Sequence, residues 1–169
     1  MKNWRAQHPA RFYAGLTAVF TFLVYWGTRI SDLTWFAFSG DGGELITAAA
    51  TLGIPHPPGY PTYVLLGKLV STLPLEPAAV RFHFFSSVCA AGAAGLTTAA
   101  GSRLLSETDP AGEPALALVP GLVFAFSPLV WDQARVAELY TLNLLLVAAF
   151  LWAMLGKRPS LLVGLLLGL

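Results

Sequence analysis

The chain has 169 residues, 56% of them hydrophobic and 11% charged, against roughly a quarter charged in an average soluble domain, so its apolar surface cannot all fold inward and lipid must be part of its solvent. A net charge of +1 excludes a large electrostatic partner such as nucleic acid. Cys89, the one cysteine, falls in an apolar run, which excludes an internal disulfide and a thiolate metal cluster.

In chain order, a first membrane span is predicted over 12–28. It follows Lys2, Arg5 and Arg11 as a signal peptide would. Its apolar run exceeds the usual ~7 to 15 residues and no small-x-small cleavage site follows, so it reads as an uncleaved helix. Residues 29–81 then form an outer loop rich in proline and polar side chains. Inside it, Ser39-Gly-Asp-Gly-Gly-Glu44 leads into a short amphipathic helix over about 43–53. Helical spacing puts Glu44, Thr47 and Thr51 on one face and Leu45, Ala48, Ala49 and Leu52 on the other. Asp41 and Glu44 have the spacing of a capping box, which satisfies orphan amides at a helix start. A carboxylate at a glycine-flanked junction equally suits a general base, because glycine lets a substrate approach.

Ile54-Pro-His-Pro-Pro-Gly-Tyr-Pro61 fixes a stiff, extended path. That path either aims His56 at a phosphate, beside the hydroxyls of Tyr60 and Tyr63, or uses it to satisfy a turn. The next apolar stretch, 59–73, gives about 22 Å of helix, short of the roughly 30 Å of hydrocarbon, and carries Lys68 in its middle. It is predicted to lie along the interface.

Spans are predicted over 82–105, 115–131 and 139–155, with a cytoplasmic turn at 106–114, and a fifth opens at 160 and stops at 169. Those last residues give only about 14 Å of helix, so the chain is expected to be a fragment of a longer polytopic protein. With 59–73 not crossing, Lys2, Arg5, Arg11, Arg103, Lys157 and Arg158 lie inside, and Arg29, Lys68, Arg81 and Arg135 outside, as the positive-inside rule prefers. Asp32, Asp41, Glu44, Glu76, Asp132 and Glu138 then share the outer face. Asp132, Arg135 and Glu138 are spaced three apart, so one helical turn would let them pair with each other or face a substrate. No zinc spacing, Walker loop, nucleophile elbow or dinucleotide glycine pattern is present.

Three segments, Gly40-Asp-Gly-Gly-Glu44, His56-Pro-Pro-Gly-Tyr-Pro61 and Trp131-Asp-Gln through Ala137-Glu-Leu-Tyr-Thr-Leu-Asn143, together resemble the protein O-mannosyltransferase-like membrane family of the GT-C glycosyltransferase superfamily. The resemblance implies an all-α, polytopic fold whose first outer loop forms juxtamembrane helices. It also implies an acidic catalytic residue in that loop, a polyprenyl-phosphate sugar donor and a hydroxyl acceptor. By similarity to lipid A aminoarabinose transferases, the matching positions are Asp41, His56 with Pro57, and Glu138. The lysine expected near the proline-rich turn is absent, and His56 stands there instead.

The implied chemistry is one inverting displacement at the anomeric carbon. Asp41 or Glu44 takes the acceptor proton, while His56, Tyr60, Arg81, Arg135 and Glu138 bind substrate. Positive charge or a divalent metal stabilises the departing phosphate. The implied location is a bacterial inner (plasma) membrane with the N-terminus cytoplasmic. Two other readings stay open: a membrane carrier or lipid flippase, because polar residues near the membrane also line translocation paths, and a non-catalytic accessory subunit.

Overall fold

A computed structural model describes residues 3–34, 39–109, 112–156 and 164. The expected opening of a fifth span, 160–169, lies outside the described residues apart from Gly164, as do Lys157 and Arg158. The described residues are helical with loops between: α1 (Asn3–Gly27), α2 (Gly42–Thr51), α3 (Pro61–Val70), α4 (Ala78–Thr108), α5 (Leu118–Ala125, preceded by a 3-10 turn Pro114–Ala117), α6 (Pro128–Ala134) and α7 (Tyr140–Leu155).

The centre of the assembly is α4, which packs against α1, α7 and α5. Its buried side chains are mostly small, including Ser86, Ser87, Cys89, Ala90, Ala91, Ala93, Ala94, Gly95 and Thr98. Small residues let backbones approach closely, which drives helix association where no hydrophobic contrast with the solvent exists. At Gly95 a Cβ would stand 2.9 Å from the Ala14 carbonyl oxygen, so α1 rests directly on α4. Polar contacts tie the same helices: Thr98 Oγ1 donates to Thr17 Oγ1 at 3.0 Å, and the Tyr25 hydroxyl to the Ala125 carbonyl at 2.9 Å. The outward face of α1 carries exposed Phe12, Leu16, Val19, Phe20 and Leu23.

By length and composition, one helix among the described residues can cross a membrane, α4. A second counts if the pair Pro114–Ala125 and Pro128–Ala134 is taken as one bent span. The stretch expected to form one span over 115–131 is two helices bent by 71° to each other. The cause is local: Ser127 is extended, as a residue before proline prefers, and Pro128 starts a new helix at its first position.

Between α1 and α4, α2 and α3 pack on each other. A Cβ at Gly67 would meet the Ala49 Cβ at 2.7 Å, and the Lys68 ammonium donates to the Ala50 carbonyl near the α2 C-terminus, where a cation opposes the helix dipole. Leu45, Ala48 and Ala49 are buried while Glu44, Thr47 and Thr51 are exposed. Leu52 departs from the expected apolar face: its left-handed φ of 55° turns the chain away and leaves it 54% exposed. Leu45, Ala49, Tyr63, Phe82, Cys89, Ala137 and Leu142 form one buried cluster. It joins α2, α3, α4, the α6–α7 loop and α7.

Candidate functional site

Asp41 stands at the N-cap of α2 with φ −90° and ψ −5°, and its side chain makes no capping hydrogen bond. A capping side chain normally requires an extended N-cap backbone, which explains why the expected capping box does not form. Glu44 turns instead to the next loop. Its Oε1 accepts from the His56 backbone amide at 2.7 Å, and its Oε2 lies 2.9 Å from His56 Nδ1.

The proline-rich turn makes this contact. Gly59 N donates to the His56 carbonyl at 3.0 Å, with Gly59 at φ 90°, a conformation glycine takes without steric cost. Tyr60 then enters α3 in the left-handed region at φ 44°, a placement that costs a non-glycine residue about 1 to 2 kcal/mol. The result holds the Tyr60 hydroxyl 3.3 Å from His56 Nε2, with the two rings edge to face. A proton on Nδ1 directed at Glu44 leaves Nε2 facing Tyr60 and Asp41, whose Oδ2 is 3.8 Å away.

The electrostatics follow. Hydrogen bonds from His56 hold the Glu44 carboxyl below its ordinary range. The Glu44 hydrogen bond raises the His56 imidazole above its ordinary value, with the charges of Glu44, Asp41 and Glu138 adding to it and desolvation opposing it.

Glu138 reaches the same place from the α6–α7 loop. Ser86 on α4 brackets its backbone: the hydroxyl donates to the Glu138 carbonyl at 3.3 Å and accepts from its amide at 3.4 Å. Across from it, a Cβ on Gly42 would stand 3.0 Å from the Ala137 carbonyl oxygen, and this close approach brings the Asp41 turn against the loop. Glu138 is 1% exposed, and neither carboxylate oxygen has a hydrogen-bond partner. Burial pushes its carboxyl up to about 7, and the nearby Asp41 charge adds to the rise. Nearby, the Tyr63 hydroxyl and Thr141 Oγ1 are also buried without a hydrogen-bond partner. Burial first, and then the charge of Glu138, pushes the Tyr63 phenol upward.

Asp41, Glu44, His56, Tyr60 and Glu138 are therefore brought together. The two arginines are engaged elsewhere. Arg81 donates to the Leu75 and Ser71 carbonyls at 2.7 and 2.8 Å and pairs with Glu76, which fixes the turn before α4. Arg135 pairs with Asp132 at 2.6 Å and reaches the Thr28 carbonyl at 3.4 Å. The triplet of Asp132, Arg135 and Glu138 does not share a helical face, because α6 ends at Ala134 and Glu138 turns inward. Thr141 belongs to the segment 137–143 singled out above, whereas Ser86 lies inside the apolar run of α4 and carries no sequence signal of its contact with Glu138. One oxygen or nitrogen from each of Asp41, Glu44 and His56 lies within 4.8 Å of the others, close enough to hold one metal ion.

Residues 41–160 match the family described as the protein O-mannosyl-transferase TMEM260 N-terminal domain. The mouse protein O-mannosyl-transferase TMEM260 is 41% identical over 109 residues, which is 64% of this chain and 15% of the mouse protein. The protein of that name from Dictyostelium discoideum is 30% identical over 115 residues, 67% of this chain and 13% of its own length. The chain thus spans only a small part of these curated relatives, and no solved structure matches it. The match covers the acidic turn, the proline-rich turn and the α6–α7 loop, and by it the chain belongs to the TMEM260 N-terminal domain family.

Proposed function

We propose that the full-length protein is a polytopic GT-C glycosyltransferase that moves a sugar from a polyprenyl-phosphate donor to a hydroxyl acceptor on the outer membrane face. The observation that carries this reading is the convergence of Asp41, His56 and Glu138 from three separate segments. The relatives' name makes mannose the first sugar to try.

The acceptor oxygen forms its bond to the anomeric carbon as the bond from that carbon to the phosphate oxygen breaks, on the opposite face and therefore with inversion. The acceptor proton passes to Asp41, whose side chain is 52% exposed beside His56. Glu44 has both oxygens engaged by His56, so it positions the ring. The ring, raised toward its charged form, supplies the positive charge that the missing lysine would bring to the departing phosphate. Tyr60 orients the other ring nitrogen. Since the leaving group is already good, alignment and charge provide most of the rate enhancement.

The test is transfer by the full-length protein in membranes from radiolabelled polyprenyl-phosphate sugars, comparing wild type with Asp41→Asn at matched folded amounts. Loss of transfer in the folded variant supports the base assignment. Undiminished transfer makes Asp41 structural, and no transfer by wild type from any donor moves the reading to a carrier.

A further inference from the structure

We propose that the cavity between α1, α4 and α7 is a site for one anionic phospholipid of the cytoplasmic leaflet, with the phosphate between Arg11 and Arg103 and an acyl chain along the groove behind them. It lies toward the opposite end of α4 from Ser86 and the candidate functional site.

The cavity holds about 670 Å3, within the roughly 300 to 1,000 Å3 of ligand pockets. Ala14 and Ala18 on α1 and Gly92, Gly95 and Ala99 on α4 line its walls, and Trp152 and Leu155 line it from α7. These side chains are too short to fill the space between the helices, and all but the indole N–H are apolar, so hydrocarbon suits it.

Depth decides which hydrocarbon. Arg81 and Arg103, the two arginines of α4, are 22 residues apart, about 33 Å of helix and close to the roughly 30 Å of a bilayer core. Gly92, the lining residue of α4 farthest from Arg103, is midway between them. The groove therefore runs from the bilayer midplane to one surface, which is the reach of one leaflet. A spanning helix from the rest of the protein would need a groove over the full thickness; a phospholipid chain needs this half.

The mouth supplies the headgroup contacts. Arg11 from α1 and Arg103 from α4 both line that end. Arg103 is held in place: it donates to the Trp152 carbonyl, and its guanidinium lies over the Trp152 ring at 4.5 Å. Tryptophan and arginine are typical of the membrane interface. Glu107 lines the same end and offsets one charge, which leaves the mouth net positive. Two guanidinium groups from different helices repel in one cavity, and a phosphodiester between them gives each an opposite charge. In the topology proposed above this is the cytoplasmic side, where anionic lipids concentrate and basic pockets between spans take their headgroups. Only that membrane topology is shared with the glycosyltransferase reading, because lipid binding is measured without a sugar donor.

The experiment uses the full-length protein in detergent, titrated with dioleoyl phosphatidylglycerol or dioleoyl phosphatidylcholine and followed by native mass spectrometry. One phosphatidylglycerol is expected to bind in preference to phosphatidylcholine. Arg11→Gln and Arg103→Gln should each weaken phosphatidylglycerol about fivefold. Arg29→Gln, the same charge change at the other end of α1, should bind as wild type does. Ala99→Phe should block the groove without changing charge. Arg11 is exposed, so its variant serves if Arg103→Gln, stripped of its Trp152 contacts, fails to fold. Phosphatidylglycerol with a photoreactive diazirine at its acyl end should label Ala14 to Ala18 or Gly92 to Leu96. No preference for the anionic lipid, wild-type affinity in folded Arg11→Gln, or labelling elsewhere because a later helix fills the groove overturns the site.

Discussion

Glu44 clasps His56 twice, taking its backbone amide on one oxygen and its ring nitrogen on the other. The folded Glu44 pKa is lowered, so its contribution is present above the ordinary value of 4.5 and lost as pH falls through the folded value. The folded His56 pKa is raised, so its contribution is complete below 6.5 and lost as pH rises through the folded value. The clasp is therefore strongest between those limits. In EDTA-treated full-length protein, side-chain NMR should show His56 titrating above 6.5, and Glu44→Gln should move the midpoint down. A wild-type midpoint at the ordinary value would contradict the geometry.

Glu138 has the opposite character from Glu44. Its carboxyl is raised to about 7 by burial, facing Asp41, His56 and Tyr63. A raised folded pKa means that stability is full below 4.5 and falls as pH climbs through about 7. A shift of this size is worth up to about 3 kcal/mol. Glu138→Gln should flatten that slope in the metal-free protein and raise the melting temperature at pH 8 relative to wild type. Parallel melting curves against pH for the two proteins would refute this account of the buried carboxylate.

Which parts of the site were readable depended on the range of the interaction. The polar and apolar faces of α2 follow from helical spacing, and Glu44, Leu45 and Ala49 fall as that spacing requires. The stiff turn around His56 follows from its prolines and from Gly59. The destination of Glu44 did not, because a capping box and a bridge to a loop twelve residues away share one local sequence. Glu138 had the same ambiguity: its spacing from Arg135 fits a surface pair, and only the end of α6 at Ala134 and the Ser86 bracket turn it inward. The break at Ser127-Pro128 was legible in principle, yet the run over 115–131 is apolar on both sides of it, so hydropathy masks the bend.

Gly42 sets the spacing between the acidic turn and the Glu138 loop. A methyl there would stand 3.0 Å from the Ala137 carbonyl and 3.1 Å from Ser39 Oγ, whereas at Gly43 the nearest atom is a Leu33 methyl at 3.9 Å. Gly42→Val should push Asp41 away from Glu138 and lower transfer about tenfold or more, since a displacement of about 1 Å can cost about a hundredfold. Gly43→Ala should transfer as wild type does. Equal activity in the two variants, measured at matched folded amounts, would remove Gly42 from the site's architecture.

Packing around α4 makes the last prediction, and here two glycines with different surroundings decide the sign. A Cβ at Gly121 would lie 1.9 Å from Thr98 Oγ1 and 2.9 Å from the Ala94 carbonyl oxygen. The hydroxyl can rotate away only by giving up its 3.0 Å bond to Thr17 Oγ1, which links α1 to α4, and the carbonyl cannot move without α4. Gly121→Ala should therefore force α5 outward and destabilise the protein by about 1 to 3 kcal/mol, the usual range for overpacking. At Gly15 nothing lies within 4 Å of the same methyl. Removing a glycine from the interior of α1 should there be neutral or stabilising by up to about 1 kcal/mol. Thermal melting of the full-length protein in detergent separates the two substitutions. A lower melting temperature for Gly121→Ala but not Gly15→Ala is expected, and equal shifts would mean that α5 does not seat on α4 through Gly121.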